Sequence, residues 1–256
     1  MPKKKTSPLF LGIVKILKLF VRRPTFSGEL PDEPCVIVGN HCQIYGPILG
    51  ELYFPQPLSI WCAGAMMELK TVPSYAFQDF WSQKPKYSQP FFKVCSYLIA
   101  PLAAFLFTQA HTIAVHRDAR VISTFKKSVE ALNRGENLLI FPEHDVKFNH
   151  IIYELEENFI DLARLYYNRT GKELLFVPAY LAPKLKQVVF GTPIRFSATA
   201  DAVEERKRIR DLLAEEITRL ATDLPSHTVI PYRNIPKRFY PNNKGGKNEK
   251  TTSQLP

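Results

Sequence analysis

The segment VGNHCQIYGP, residues 38–47, sets His41 directly behind a short apolar run. Imidazole titrates near neutrality and is suited to take a proton from an alcohol. Three further segments end an apolar run in a similar way. TIAVHRD supplies Arg117, a cation suited to phosphate; LLIFPEHD supplies Pro142 and Glu143; FVPAYLAP brings Pro178 to the end of its run. A single histidine after a strand commonly just satisfies a turn. Four such ends in order point instead to one shared site, because α/β sheets gather reactive groups at the carboxyl ends of their strands. The chain has no G-x-S-x-G turn, so no serine nucleophile of that kind is on offer. His144, Asp145 and His150 follow no compact metal-ligand spacing, and neither a metal nor another cofactor is expected.

The elements that would carry these groups alternate from residue 34 onward. Apolar runs predict strands at 36–39, 58–63, 112–115 and 137–143, then over LLFVPAYLAP and QVVFGTPIRF. Helices are predicted at 47–53, over ARVISTFKKSVEALNRG with Gly135 as its stop, and around Leu155, Phe159, Leu162 and Tyr166 with closure at Gly171. A charged helix with Ile209, Leu212, Leu213, Ile217 and Leu220 inward completes the pattern. Residues 66–107 are aromatic and punctuated by proline, and read as helical pieces; 96–107 is apolar but short and carries Pro101. The expected fold is α/β, a single domain with a mostly parallel sheet flanked by helices, behind an N-terminal amphipathic helix. The expected divisions are 1–24, a basic amphipathic membrane-interface helix; 25–240, the α/β domain; and 241–256, a disordered tail without apolar periodicity.

With 256 residues, 45% of them hydrophobic, the chain can bury a substantial core. Its net charge of +10 favours anionic partners: lipid head groups, phosphorylated or CoA-like substrates, or nucleic acid. Nucleic acid ranks last, because the charge is spread along the chain and no RNP, zinc or helix-turn-helix signature accompanies it. Four scattered cysteines without a C-x-x-C pair suit a reduced, cytosolic protein. Near the N-terminus, residues 8–21 are apolar but too short to span a bilayer, and no cleavage site follows. Lys15, Lys18 and Arg22 share one helical face, and Lys3, Lys4, Lys5 and Arg23 flank the segment. That pattern suits a helix lying at a membrane surface, although a helix packed on its own domain would leave the same lysines in water.

NHCQIYG, IAVHR, FPEHDV, FVPAY and VVFGTPIRF, in that order, resemble the motifs of the glycerophospholipid acyltransferases, typified by 1-acyl-sn-glycerol-3-phosphate acyltransferase. The family pattern is N-H-x4-D, an arginine after an apolar strand, F-P-E-G-T-R, V-P and a later G-x-P-I strand. The resemblance covers roughly residues 34–225; Asn40, His41, Arg117, Phe141, Pro142, Glu143 and Pro178 all match. It implies acyl transfer from acyl-CoA or acyl carrier protein to the hydroxyl of a lysophospholipid or glycerol-phosphate acceptor, at the cytoplasmic face of a membrane. His41 would be the general base and Arg117 a ligand for the acceptor's phosphate. Glu143 would belong to the acceptor site, with Asn40, Phe141, Pro142 and Pro178 as further substrate-binding positions.

Two motifs depart from the family. Gly46 stands where the aspartate that orients the histidine is expected, and His144, Asp145 and Val146 replace glycine, threonine and arginine. Loss of an orienting carboxylate costs on the order of 10⁴ in kcat in a serine–histidine–aspartate triad. Asp145 is therefore the expected surrogate, with a helix or loop cap as its equal alternative, and Glu51 a poorer candidate. The second functional reading is a weakened relative that binds lipid or acyl chains without turnover.

Overall fold

The computed structural model describes residues 6–82, 84–116 and 118–245. In chain order the elements are α1 (Pro8–Phe20), β1 (Thr25–Ser27), β2 (Val36–Gly39), α2 (Tyr45–Tyr53), β3 (Leu58–Ala63), α3 (Val72–Ala76), α4 (Gln89–Gln109), β4 (Thr112–Val115), α5 (Val121–Asn133) and β5 (Asn137–Ile140). Then follow β6 (Glu143–Phe148), β7 (Tyr153–Leu155), α6 (Asp161–Thr170), β8 (Leu175–Ala182), β9 (Gln187–Phe190), β10 (Ile194–Arg195), α7 (Ala202–Asp223), β11 (His227–Thr228) and β12 (Asn242–Asn243).

The main sheet runs β1-β9-β8-β2-β5-β3-β4, with β10 also paired to β8. From β8 to β4 every pairing is parallel, while β9 and β10 return antiparallel on β8. Buried parallel strands need apolar residues on both faces, and the period of two divides these strands between two cores. Val36, Val38, Leu138, Ile140, Phe176 and Tyr180 face α5, α6 and α7. Ile37, Leu139, Val177, Ala179 and Leu181 face the opposite side with Leu49 of α2. This is the expected α/β domain with a mostly parallel sheet between helical layers. The helices α5 and α6 close at Gly135 and Gly171, both at positive φ (83° and 70°), a conformation glycine adopts without strain.

Four local expectations need correction. The segment after β5 is a hairpin, β6 and β7, and not a helix cap or loop around Asp145. Pro178 lies inside β8, paired with Val38, and not at its end. Its carbonyl accepts from Gly191 in the gap between β9 and β10, so its missing N–H faces the one stretch where no ladder partner is needed. Residues 96–107 belong to the 21-residue helix α4, which with its preceding turn is long and apolar enough to cross a membrane by length and composition. Asn242–Asn243, assigned above to the tail, pairs with His227–Thr228; residues 246–256 lie outside the described residues.

Of α1 only Phe10 is buried, while Leu9, Leu11, Ile16, Leu19 and Phe20 are exposed. The domain therefore leaves most of that helix's apolar surface uncovered. Lys3, Lys4 and Lys5 lie outside the described residues.

Candidate active site

The carboxyl ends of β2 and β5 lie side by side, with Val38 paired to Ile140, so the segments following them converge. Asn40 pins the end of β2: its Oδ1 accepts from the Leu181 N–H at 2.7 Å and its Nδ2 donates to the Leu181 carbonyl at 3.1 Å. The same Nδ2 lies 3.0 Å from the Cys42 sulfur. All of this amide is spent on the fold.

Beyond His41 the chain turns through two consecutive left-handed residues, Cys42 (φ 50°) and Gln43 (φ 56°), before α2 begins. Such conformations cost non-glycine residues on the order of 1 kcal/mol each and persist only where the surroundings hold them. Here Cys42 is buried under Asn40 and Leu181, and Gln43 Nε2 donates to Tyr240 Oη at 2.8 Å and to the Arg233 carbonyl at 3.3 Å.

The His41 ring stands between two aromatic rings, edge-to-face with Phe141 (5.2 Å, 61°) and with Tyr232 (5.3 Å, 69°). Its Nδ1 is buried and, among the described residues, has no hydrogen-bond partner. Burial lowers its pKa to about 4; the nearby backbone of Gln43 and of His41 itself favours the charged form without offsetting that. The imidazole is thus neutral at physiological pH.

Among the described residues, no carboxylate reaches Nδ1. Gly46 N–H donates to the His41 carbonyl at 3.2 Å, and a Cβ built on Gly46 would stand 2.6 Å from that oxygen and 2.9 Å from the Phe141 ring. Gly46, matched from sequence to the motif aspartate, has no room for any side chain. The expected surrogate also points elsewhere: Asp145 is exposed and pairs with Arg233 at 3.3 Å. Glu51 is held by His111, whose N–H and Nδ1 lie 3.0 and 3.1 Å from its two oxygens.

Glu143 is the carboxylate that does approach His41, through the main chain. One oxygen accepts the His41 N–H at 2.6 Å, the other the Tyr153 N–H at 2.7 Å, and the side chain is buried. Desolvation pushes its pKa up to about 7 against the pull of those two bonds. Of the positions named from sequence, His41, Phe141, Pro142 and Glu143 come together. Asn40 and Pro178 serve the sheet, and Arg117 lies outside the described residues.

The sequence reading missed Tyr153 and the strap 230–240. Tyr232 covers His41 and lies 6.2 Å from Tyr153; Asn234 Nδ2 donates to the Asp79 carbonyl at 3.1 Å beyond α3. The available signal was an aromatic and basic stretch, IPYRNIPKRFY, too rich in large rings for a solvated linker.

Comparison with known proteins adds little to this geometry. The sequence matches no protein-family profile, and it matches no curated protein. Among solved structures, the chain is similar to the 1-acyl-sn-glycerophosphate (LPA) acyltransferase PlsC from Thermotoga maritima. Identity is 11%, 85% of this chain and 80% of that one are covered, and the TM-score is 0.47.

Proposed function

We propose that this protein moves a fatty acyl group from an acyl thioester, acyl-CoA or acyl carrier protein, to the hydroxyl of a lysophospholipid or glycerol-phosphate acceptor. The observation that carries the reading is His41: a neutral imidazole at the carboxyl end of a central strand, on a strained turn, fixed between Phe141 and Tyr232. The motif order around it supplies the substrate class. His41 takes the proton of the acceptor hydroxyl, the oxygen attacks the thioester carbonyl, and the tetrahedral intermediate expels the thiolate. The imidazolium then returns the proton to the thiolate.

Arg117 is assigned to the acceptor's phosphate, and Phe141 and Pro142 to the wall of the acceptor site. Asn40, Glu143 and Pro178 hold the scaffold, because their polar groups or their strand position are committed to protein partners. In this reading the protein works peripherally at the cytoplasmic face of a membrane, where α1 offers apolar side chains flanked by Lys15, Lys18 and Arg22.

One observation favours a second reading, lipid or acyl-chain binding without turnover. Among the described residues no carboxylate offsets a developing imidazolium, and burial already disfavours charge there beyond what the nearby backbone returns. Purified protein with acyl-CoA or acyl carrier protein and a panel of lysophospholipids separates the two. Thiol release coupled to phospholipid formation, lost in folded His41→Ala, is the expected result. Acyl-chain binding without thiol release in the wild type would leave the second reading.

A further inference from the structure

The helix α4 is turned inside out for a protein in water. Its inward stripe is mostly small: Ser96 and Ala100 are buried, and Ala103 and Ala104 pack beside them, with Phe107 at the end, against Met66, Val72 and Ala76. Its outward stripe, Phe91, Val94, Leu98 and Leu102 at spacings of three and four, is large, apolar and exposed; Leu98 is 74% exposed and Phe91 66%. Tyr97 flanks it, and Tyr87 stands exposed at the amino end. Water selects the opposite arrangement, with large apolar groups inward.

Charge identifies the occupant. Between Asp79 and Asp118 the sequence has no acidic residue, and Lys84, Lys86 and Lys93 lie at or before the first turn of the exposed face. Lys84 Nζ rests 5.9 Å from the Phe92 ring, the amphipathic setting of a head-group contact. From these observations we propose that the outward face of α4 docks into an anionic lipid surface.

The helix lies along that surface and does not cross it. Its last residue, Gln109, is three positions before β4, which hydrogen-bonds to β3 in the main sheet. Its other end leads back to α3, whose Val72 and Ala76 cluster with Ala100 of α4. Both ends of α4 thus stay on the protein's side. Gln109 Oε1 also accepts the Ser7 N–H at 3.0 Å, which joins the start of α1 to the end of α4. The docking assignment goes beyond the acyl-transfer reading and does not need it.

Vesicle co-sedimentation of the full chain tests it, with vesicles of phosphatidylcholine and of phosphatidylcholine mixed with phosphatidylglycerol. The wild type should bind the mixed vesicles more tightly, with salt weakening but not abolishing binding. The triple variant Phe91→Ser/Leu98→Ser/Leu102→Ser should bind at least about tenfold more weakly, since three apolar side chains no longer enter the interface. It should melt with the wild type, because all three side chains are more exposed than buried and Phe91 meets the neighbouring Phe92 ring on the helix surface. Leu98→Lys keeps the charge attraction and removes apolar contact, so it too should bind more weakly.

Equal binding by the triple variant, tighter binding by Leu98→Lys, or no binding by the wild type would overturn the proposal. So would early melting of the triple variant, or light scattering that shows the face closed against a second copy. The assay involves no turnover, so its failure leaves the proposed chemistry standing, and failure of that chemistry leaves the docking face standing.

Discussion

Glu143 reaches His41 from behind: its carboxylate accepts the His41 main-chain N–H at 2.6 Å while the imidazole points away into its aromatic slot. The same burial moves the two groups in opposite directions, His41 from 6.5 to about 4 and Glu143 from 4.5 to about 7.

That opposition has a pH signature. Between about 4 and 6.5 the unfolded chain protonates His41 and the folded one does not, so this group makes stability rise with pH. Between 4.5 and about 7 the folded chain holds a proton on Glu143 that the unfolded one has released, so stability falls with pH. Each effect is worth on the order of 3 kcal/mol over its window, and in the wild type they largely offset. Urea titrations at several pH values should give a rising curve for Glu143→Gln and a falling one for His41→Leu. Parallel curves for both variants and the wild type would remove this account.

Gly46→Asp should not restore a family-like site. Its Cβ would overlap the His41 carbonyl and the Phe141 ring, and that oxygen belongs to backbone that cannot step aside cheaply. Loss of about 2 kcal/mol or more is expected, with no gain in turnover. Gly46→Ala should lose a similar amount, because the first carbon causes the overlap. A stable Gly46→Asp protein with raised kcat would contradict this packing.

Asp145→Asn should change little. Its ion pair with Arg233 is about half exposed on both sides, which limits its worth to roughly 0–1 kcal/mol. Turnover should stay within about twofold, since Asp145 makes no bond to the imidazole. A large drop in kcat with unchanged folding would restore the surrogate role expected from sequence.

Tyr232→Ala should lower kcat about tenfold with little change in KM, because the ring edge on one side of His41 disappears and the imidazole loses its fixed aim. Tyr232→Phe keeps the ring and should retain most activity. Steady-state kinetics over a range of acceptor concentrations distinguish this from a binding defect.

Much of the main sheet was legible in the sequence, because β2, β5 and β8 are buried on both faces and must be written in continuous apolar residues. His41 was legible for the same reason, as the polar residue that follows such a run. The missing carboxylate was also legible in Gly46, but its cause was not. The constraint is contact: the tightest overlap is with the His41 carbonyl across the turn, and the next is with the Phe141 ring, brought in from a distant strand end that no local pattern encodes. Tyr232 was hidden likewise, since an irregular strap has no periodicity to read. The helix α4 was read too short, as an apolar piece 96–107 that carries Pro101, whereas that proline sits exposed inside a continuous helix from Gln89 to Gln109.

The strap also sets an order of events. Gln43 and Tyr240, bonded at 2.8 Å, stand 197 residues apart, so one wall of the His41 slot comes from nearly the last described part of the chain. During synthesis the sheet and α2 can assemble before that wall exists, whereas the Gln43 side chain gains its strap partners only when so long a loop closes, late among folding contacts. A nascent or C-terminally clipped chain would then hold a folded domain with an uncapped imidazole. The imidazole would be capped only after the strap 230–240 has emerged and swung back across the sheet edge, which couples completion of the His41 slot to synthesis of that strap.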